Sequence, residues 1–253
     1  MEMRSRLEQA NDNAAAFWLG QARVHGWEHI RSAGYTAVRC ARDAADAHRV
    51  VITRPYGEAG ELVAELTELF RTWGTVQLCL EDPYGGLDLA RFGREASLQM
   101  AVMAREPEDA SGLGISDRTA AGLTVDEVRD DEDLAAVERA VVEGFPVAAR
   151  QPWVRGELLP PGLLTLPGYR AWLGRVDGRP AGGCMTYDDG ETVGVYWVAT
   201  LPEHRSQGIA RAAVAEALAA HPGRVTTLVA TLLGEPLYRR LGFTEQGVTR
   251  WWR

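Results

Sequence analysis

One connection constrains the fold of this chain more than any other feature. Residues 192–200, TVGVYWVAT, are dense in β-branched and aromatic side chains and read as a strand. Residues 201–207, LPEHRSQ, carry the chain from there into a helical pattern that Gly208 opens and that runs to Ala220. A strand that feeds a helix N-terminus through a short loop containing glycine is a ready anion site. The first amides of such a helix lack intrahelical acceptors and point toward whatever binds there.

The flanking segments predict a sheet with helices packed against it. Residues 123–128 alternate like a strand, and Asp131, Glu132 and Asp133 precede an apolar series at Leu134, Val137, Val141 and Val142. Acids suit the positive end of that helix, which Phe145 and Pro146 stop. Prolines crowd residues 151–167, which predicts a loop or short helix. Residues 169–176 and 181–187 read as strands joined by the hairpin signal Asp177-Gly178. A strand over 224–231, a short helix over 235–241 and a last strand over 244–252 complete the pattern. The order gives an α/β (α+β) class with a mixed, mainly antiparallel sheet. Residues 107–122, PEDASGLGISDRTAAG, are small, polar and acidic without hydrophobic period, and read as a linker. The predicted division is therefore 1–106, linker 107–122 and 123–253.

Composition excludes several classes of function. At 46% hydrophobic and 25% charged, the 253 residues are those of an ordinary globular protein. A net charge of −8 argues against non-specific nucleic-acid binding, which needs surplus positive charge. The cations are arginines throughout; lysine does not occur. Cys40, Cys79 and Cys184 are odd in number and lack metal-ligand spacing, as do the five histidines, so no metal site is expected. The uncharged stretch 158–169 is too short to span a bilayer, and residues 1–4 lead into polar residues rather than an apolar export signal. The expectation is a cytoplasmic protein with no membrane partner.

The loop and the helices on either side of residue 224 carry a resemblance. VATLPEHRSQGIARA (198–212) is similar to the acetyl-CoA signature of GNAT-type N-acetyltransferases, (Arg/Gln)-x-x-Gly-x-(Gly/Ala), and PLYRRLGF (236–243) resembles that family's later helix and Leu-Gly-Phe turn. The resemblance covers about residues 123–253 and implies a GNAT-like acyltransferase fold using acetyl-CoA as co-substrate without a metal. It implies main-chain contacts to the pantetheine arm from Val198, Ala199 and Thr200. It places the pyrophosphate on Arg205, Ser206, Gln207, Gly208, Ile209, Ala210 and Arg211. Independently, the small Gly208 and Ala210 admit a phosphate close to the backbone, and Arg205 adds a charge-assisted donor. Tyr238 matches the family's tyrosine that protonates the departing thiolate, a suitable task for a phenol.

The general base is less legible. Many relatives carry a glutamate on the strand before the loop, whereas residues 192–198 contain no carboxylate. Glu191 at the strand's start, Tyr196 holding a water relay, and Glu143 near a helix end remain alternatives. Strand alternation puts Tyr196 on the same side as Val198. The acceptor pocket is expected from residues 145–167 and the hairpin strands, with Phe145, Trp153, Tyr169, Trp172 and Tyr196 as candidate lining. Cys184 is not expected to act as a nucleophile.

The first hundred residues read as a worn second copy of the same fold. VQLCLEDPYGGLDLARFG (76–93) lies beside TLVATLLGEPLYRRLGF (227–243), and each runs into a strand, 97–104 in the first case. VVITRPYGEAGE (50–61) precedes a helix at 62–70, in the place of the cofactor loop, but it lacks the signature and sets Glu58 and Glu61 toward any phosphate. This half is not expected to bind acetyl-CoA. The expected reaction is acetyl transfer to the primary amine of a small molecule or peptide by direct attack in a ternary complex. The alternatives are a catalytically weak acyl-CoA-binding or regulatory protein, or an acetyltransferase with an N-terminal module that recruits a partner. Assembly is expected as a monomer with an intramolecular pseudo-dimer, or as a homodimer.

Overall fold

The computed structural model describes residues 4–40, 48–74, 79–90, 95–107, 120–145 and 150–252. Most of the expected linker, the 75–78 and 91–94 parts of the internal similarity, and residues 146–149 of the acceptor segment lie outside these. By their contacts, residues fall into two compact units: Met1–Ala104 with Val229–Pro236 and Thr244–Arg253, and Arg105–Leu228 with Leu237–Phe243.

The first unit begins with helix α1 (Arg6–His25), closed reciprocally at its start. The Ser5 amide donates to Glu8 Oε2 at 2.8 Å and the Glu8 amide donates to Ser5 Oγ at 3.2 Å, which satisfies donors the helix cannot pair itself. Strands β1 (Glu28–Arg31), β2 (Tyr35–Arg39) and β3 (Arg49–Ile52) come next as an antiparallel series. Helix α2 (Ala59–Trp73) buries Val63, Leu66 and Phe70, spaced along one helical face, and leads to β4 (Cys79–Asp82), parallel to β3. Strand β5 (Ala96–Arg105) ends this stretch. Tyr35, Val50, Ile52, Leu66, Phe70 and Leu80 form the center of the unit's core.

The second unit repeats much of that order after an additional first strand. Strand β6 (Leu123–Glu127) leads to α3 (Asp131–Gly144), whose N-cap Asp130 accepts from the amides of Glu132 and Asp133. Strands β7 (Tyr169–Val176), β8 (Arg179–Asp188) and β9 (Val193–Thr200) are antiparallel neighbors. Helix α4 (Ile209–Ala219) then crosses to β10 (Thr226–Ala230), which is parallel to β9. Both units thus contain three antiparallel strands, a helix, and a strand parallel to the third. The strands of the second unit lie in the order β10-β9-β8-β7-β6. A short 3-10 turn at Pro161–Thr165 interrupts the proline-rich segment, as the prolines predict.

After helix α5 (Glu235–Arg240), the chain's last strand, β11 (Thr244–Trp252), completes the first unit rather than the second. It pairs antiparallel with β4 on one side and β5 on the other, giving the order β1-β2-β3-β4-β11-β5. This differs from the sequence boundary, which groups residues 244–252 with 123–253. Hydrogen-bonded ladders on both edges outweigh chain proximity. Side chains reinforce the placement: the buried Arg49 guanidinium donates to Glu81 at 2.9 Å and lies 4.5 Å and 4.9 Å from the ring centers of Trp18 and Trp251. Among the described residues, no helix is long and apolar enough to cross a membrane.

Candidate acyl-transfer site

Strand β9 parts from its parallel neighbor early. Val193 and Gly194 pair with Thr226 and Thr227, and the register between the two strands ends there, although β9 continues to Thr200. On its other edge β9 is bulged. Gly183 faces Ala199 and Met185 faces Tyr196, so Cys184 alone opposes both Trp197 and Val198. Trp197 takes a left-handed conformation, φ 51°, at a bulge position that glycine usually fills. For a residue with a Cβ that conformation costs about 1–2 kcal/mol. The bulge also breaks the period-2 alternation from which Tyr196 is expected beside Val198.

The loop after β9 turns twice through left-handed backbone, at Ser206 (φ 62°) and Gly208 (φ 85°). Gly208 is the N-cap of α4 and, having no side chain, supplies no side-chain cap to the helix's first amides. Close packing fixes where this helix end lies. A Cβ on Gly182 of β8 would come 2.9 Å from Ile209 Cγ2 and 2.5 Å from the carbonyl oxygen of Ala199, so the absent side chain lets the first residue of α4 sit directly on the sheet. The end of α3 approaches as closely: a Cβ on Gly144 would come 2.9 Å from the carbonyl oxygen of Thr200. Arg205 reaches across from the loop, its Nη2 donating to the Gly144 carbonyl at 2.9 Å. The ring of Phe145, the next residue, meets that of Trp197 edge to face at 6.2 Å.

Tyr238 of α5 is buried, its ring edge to face with Phe243 at 6.0 Å. Burial, with a smaller contribution from nearby Cys184, holds its hydroxyl well above the usual phenol range. The hydroxyl therefore stays protonated through physiological pH. Burial pushes the Cys184 thiol up to about 12, which disfavors the thiolate.

A strand released from its neighbor, a left-handed loop opening a helix N-terminus and a buried tyrosine are the setting of the two sequence motifs. Residues 167–245 match the family model described as "Acetyltransferase (GNAT) domain". This segment is a GNAT acetyltransferase domain. Its family implies acyl transfer from acetyl-CoA. Solved structures extend the likeness over nearly the whole chain. A GCN5-related N-acetyltransferase from Kribbella flavida is 20% identical, with 94% of each chain covered and a TM-score of 0.64. A GCN5-related N-acetyltransferase from Sphaerobacter thermophilus is 16% identical, covering 98% of this chain and 93% of that one at a TM-score of 0.56. A tandem GNAT protein from the clavulanic acid biosynthesis pathway is 18% identical, covering 88% and 80% at 0.57. These identities establish the fold, and the tandem neighbor supports a duplicated one. No curated protein matches the sequence.

The second unit does not gather every residue expected at the site. Glu191 is exposed in the β8–β9 turn, where its amide donates to Asp189. Six residues of strand, roughly 20 Å, separate it from Trp197, too far for a base acting at Val198. Glu143 is exposed and paired with Arg139 at 2.8 Å. Tyr196 is half-buried on β9 before the bulge. Trp153 and Trp172 lie apart. Gly183 faces Val137 of α3 while Gly182 and Gly174 face Ile209 of α4, so the two helices cover opposite faces of the β7–β8 hairpin. Trp172 shares the α4 face, edge to face with His221 at 6.0 Å and under the Arg170 guanidinium at 5.3 Å. Trp153 instead donates its indole N–H to Glu138 of α3 at 3.0 Å. Tyr169 is buried, and burial ahead of the Glu138 charge raises its pKa.

Glu138 and Trp197 are the two residues that the sequence does not single out. The Glu138 carboxylate is wholly buried and accepts from Trp153 Nε1 and from the amides of Gly156, Leu158 and Leu159, at 2.7 to 3.0 Å. It folds the proline-rich segment onto α3. Its signal is an acid within the apolar stripe 134, 137, 141 and 142. Among the described residues, no cluster of His, Cys, Asp and Glu is arranged to hold a metal.

Proposed function

We propose that the GNAT domain transfers the acetyl group of acetyl-CoA to a primary amine of a small molecule or peptide, by direct attack with both substrates bound. The observation that carries this reading is the early parting of β9 from β10, directly ahead of a twice left-handed loop that opens α4. Main-chain groups of Val198, Ala199 and Thr200 hold the pantetheine arm beyond Gly194. The amides from Ser206 to Ala210 receive the pyrophosphate, aided by Arg205 and Arg211. The bulge takes one residue off the ladder, which aims the Val198 N–H at the thioester oxygen as negative charge develops there. Tyr238 donates its proton to the departing sulfur. With Glu191 remote, the amine's proton passes to water, and Tyr196, half-buried on β9 before the bulge, is the candidate to order it. Holding both reactants in one site supplies much of the acceleration.

The first unit does not bind acetyl-CoA in this reading. There β3 and β4 pair from Arg49↔Cys79 to Val51↔Glu81, nearly the whole of both strands, so no comparable parting occurs. Glu58 caps α2 without a side-chain hydrogen bond and Glu61 lies in its first turn, both repelling phosphate. The Tyr56 hydroxyl donates to the buried Asp82 carboxylate at 3.1 Å and accepts from the Gly86 amide at 2.7 Å, which ties the β3–α2 loop to the segment after β4.

A second reading, an acyl-CoA-binding protein with weak chemistry, is favored by the lack of a carboxylate along β9. Continuous measurement of thiol release from acetyl-CoA with a panel of primary amines separates the two. We expect amine-dependent release. Release that no amine raises above background hydrolysis would replace the enzyme with the binding protein.

A further inference from the structure

We infer that Trp197 and Phe145 determine acceptor specificity, selecting amines that carry a flat apolar group; this rests on the acetyltransferase reading above. The geometry begins with the bulge. A left-handed residue at this point is served best by glycine, which takes φ 51° freely. The chain instead keeps its bulkiest side chain there and holds it half-buried. Backbone strain of this kind persists where the surrounding structure fixes it, and one partner that does so here is Phe145, edge to face at 6.2 Å.

Phe145 is itself located by close packing. It comes directly after Gly144, which touches the Thr200 carbonyl region and accepts from Arg205 of the anion loop. Its amide donates to the Val141 carbonyl at 2.9 Å, so the last turn of α3 remains closed up to this residue. Two aromatic side chains, one at the strand bulge and one at the helix end, are thus fixed beside the place where the acyl group and the incoming nitrogen must meet. Neither ring is among the fully buried side chains of the core. Both keep exposed surface that an acceptor can cover. Flat apolar groups gain from stacking or edge contact with such rings, whereas a flexible alkyl chain gains only area.

The test compares 2-phenylethylamine with n-butylamine as acceptors for the full chain and for Trp197→Gly. Glycine keeps the bulge conformation while removing the ring, so the melting midpoint and its rise with acetyl-CoA are expected to hold. The wild-type protein is expected to favor 2-phenylethylamine by about tenfold or more in kcat/KM, the scale of discrimination apolar pockets achieve. In Trp197→Gly that preference is lost through KM for 2-phenylethylamine, while n-butylamine changes by less than about threefold. Phe145→Leu, which leaves the bulge untouched, is expected to act in the same direction. An unchanged preference in both variants, or a wild-type protein that does not favor the aromatic amine, overturns the assignment. If acetyl-CoA fails to raise the wild-type melting midpoint, the acetyltransferase reading itself fails, and this assignment with it.

Discussion

The indole nitrogen of Trp153, in the proline-rich segment that the sequence assigns to the acceptor side, donates to a carboxylate oxygen of the buried Glu138 at 3.0 Å. Three backbone amides share that carboxylate. Glu138→Ala leaves buried donors without a partner, at a cost on the order of 3 kcal/mol. Urea unfolding is expected to show the loss as a lower midpoint with an unchanged slope. An unchanged midpoint would mean that water replaces the carboxylate there without cost.

Arg205 bridges the β9–α4 loop to the Gly144 carbonyl at the end of α3. Arg205→Ala is expected to weaken acetyl-CoA by about tenfold, the worth of one charge-assisted hydrogen bond, with little change in melting midpoint of the free protein. Titration calorimetry reads the affinity and a thermal melt reads the midpoint. Equal affinity would leave Arg205 as a tether for α3 alone.

Tyr238→Phe keeps the edge contact with Phe243 and removes only the hydroxyl. Turnover is expected to fall by about a hundredfold, as for the loss of a general acid, while acetyl-CoA affinity stays within about twofold. Unchanged turnover would take Tyr238 out of the reaction.

His221 lies just past α4 and shares a hydrogen bond with Thr186 at 2.9 Å. Burial lowers its pKa first, then the Arg170 charge and further the Arg224 charge, with Asp188 and Glu127 opposing. A histidine with a depressed folded-state pKa binds its proton more readily when unfolded. It therefore favors the folded state above the ordinary histidine pKa, and that contribution is lost as pH falls through the ordinary value toward the folded one. Glu127, lowered chiefly by its hydrogen bond from Arg170, adds a second loss of stability at more acid pH. Melting midpoints should drop from neutral pH toward pH 5, and His221→Gln should flatten that limb while leaving the more acid one. An identical profile in both forms would exclude His221 as its source.

Much of the second unit is legible in the sequence because its signals are local. The Asp177-Gly178 turn, the acids before Leu134 and the glycine at 208 each report on a few neighboring residues, and the structure has β7, β8, α3 and α4 there. Helix α1 is not, although Ser5 and Glu8 carry a capping pair, because alanine and polar residues blur its apolar face. The placement of β11 between β4 and β5 is not legible either, since strand partners distant in sequence leave no periodic trace. At the site, the loop residues 205–211 are readable as a motif. Trp197 is not, because a bulge changes which face a side chain takes without changing composition. Trp172 is expected beside Phe145 from residue type alone, and strand alternation puts it on the α4 face with His221 instead.

In the proposed function the loop between β9 and α4 takes acetyl-CoA and the first unit takes none. Titration calorimetry of the full chain with acetyl-CoA tests it most directly. The expected result is one molecule bound per chain. Two molecules per chain would contradict the closed reading of the first unit, and no binding at all would contradict the acetyltransferase itself.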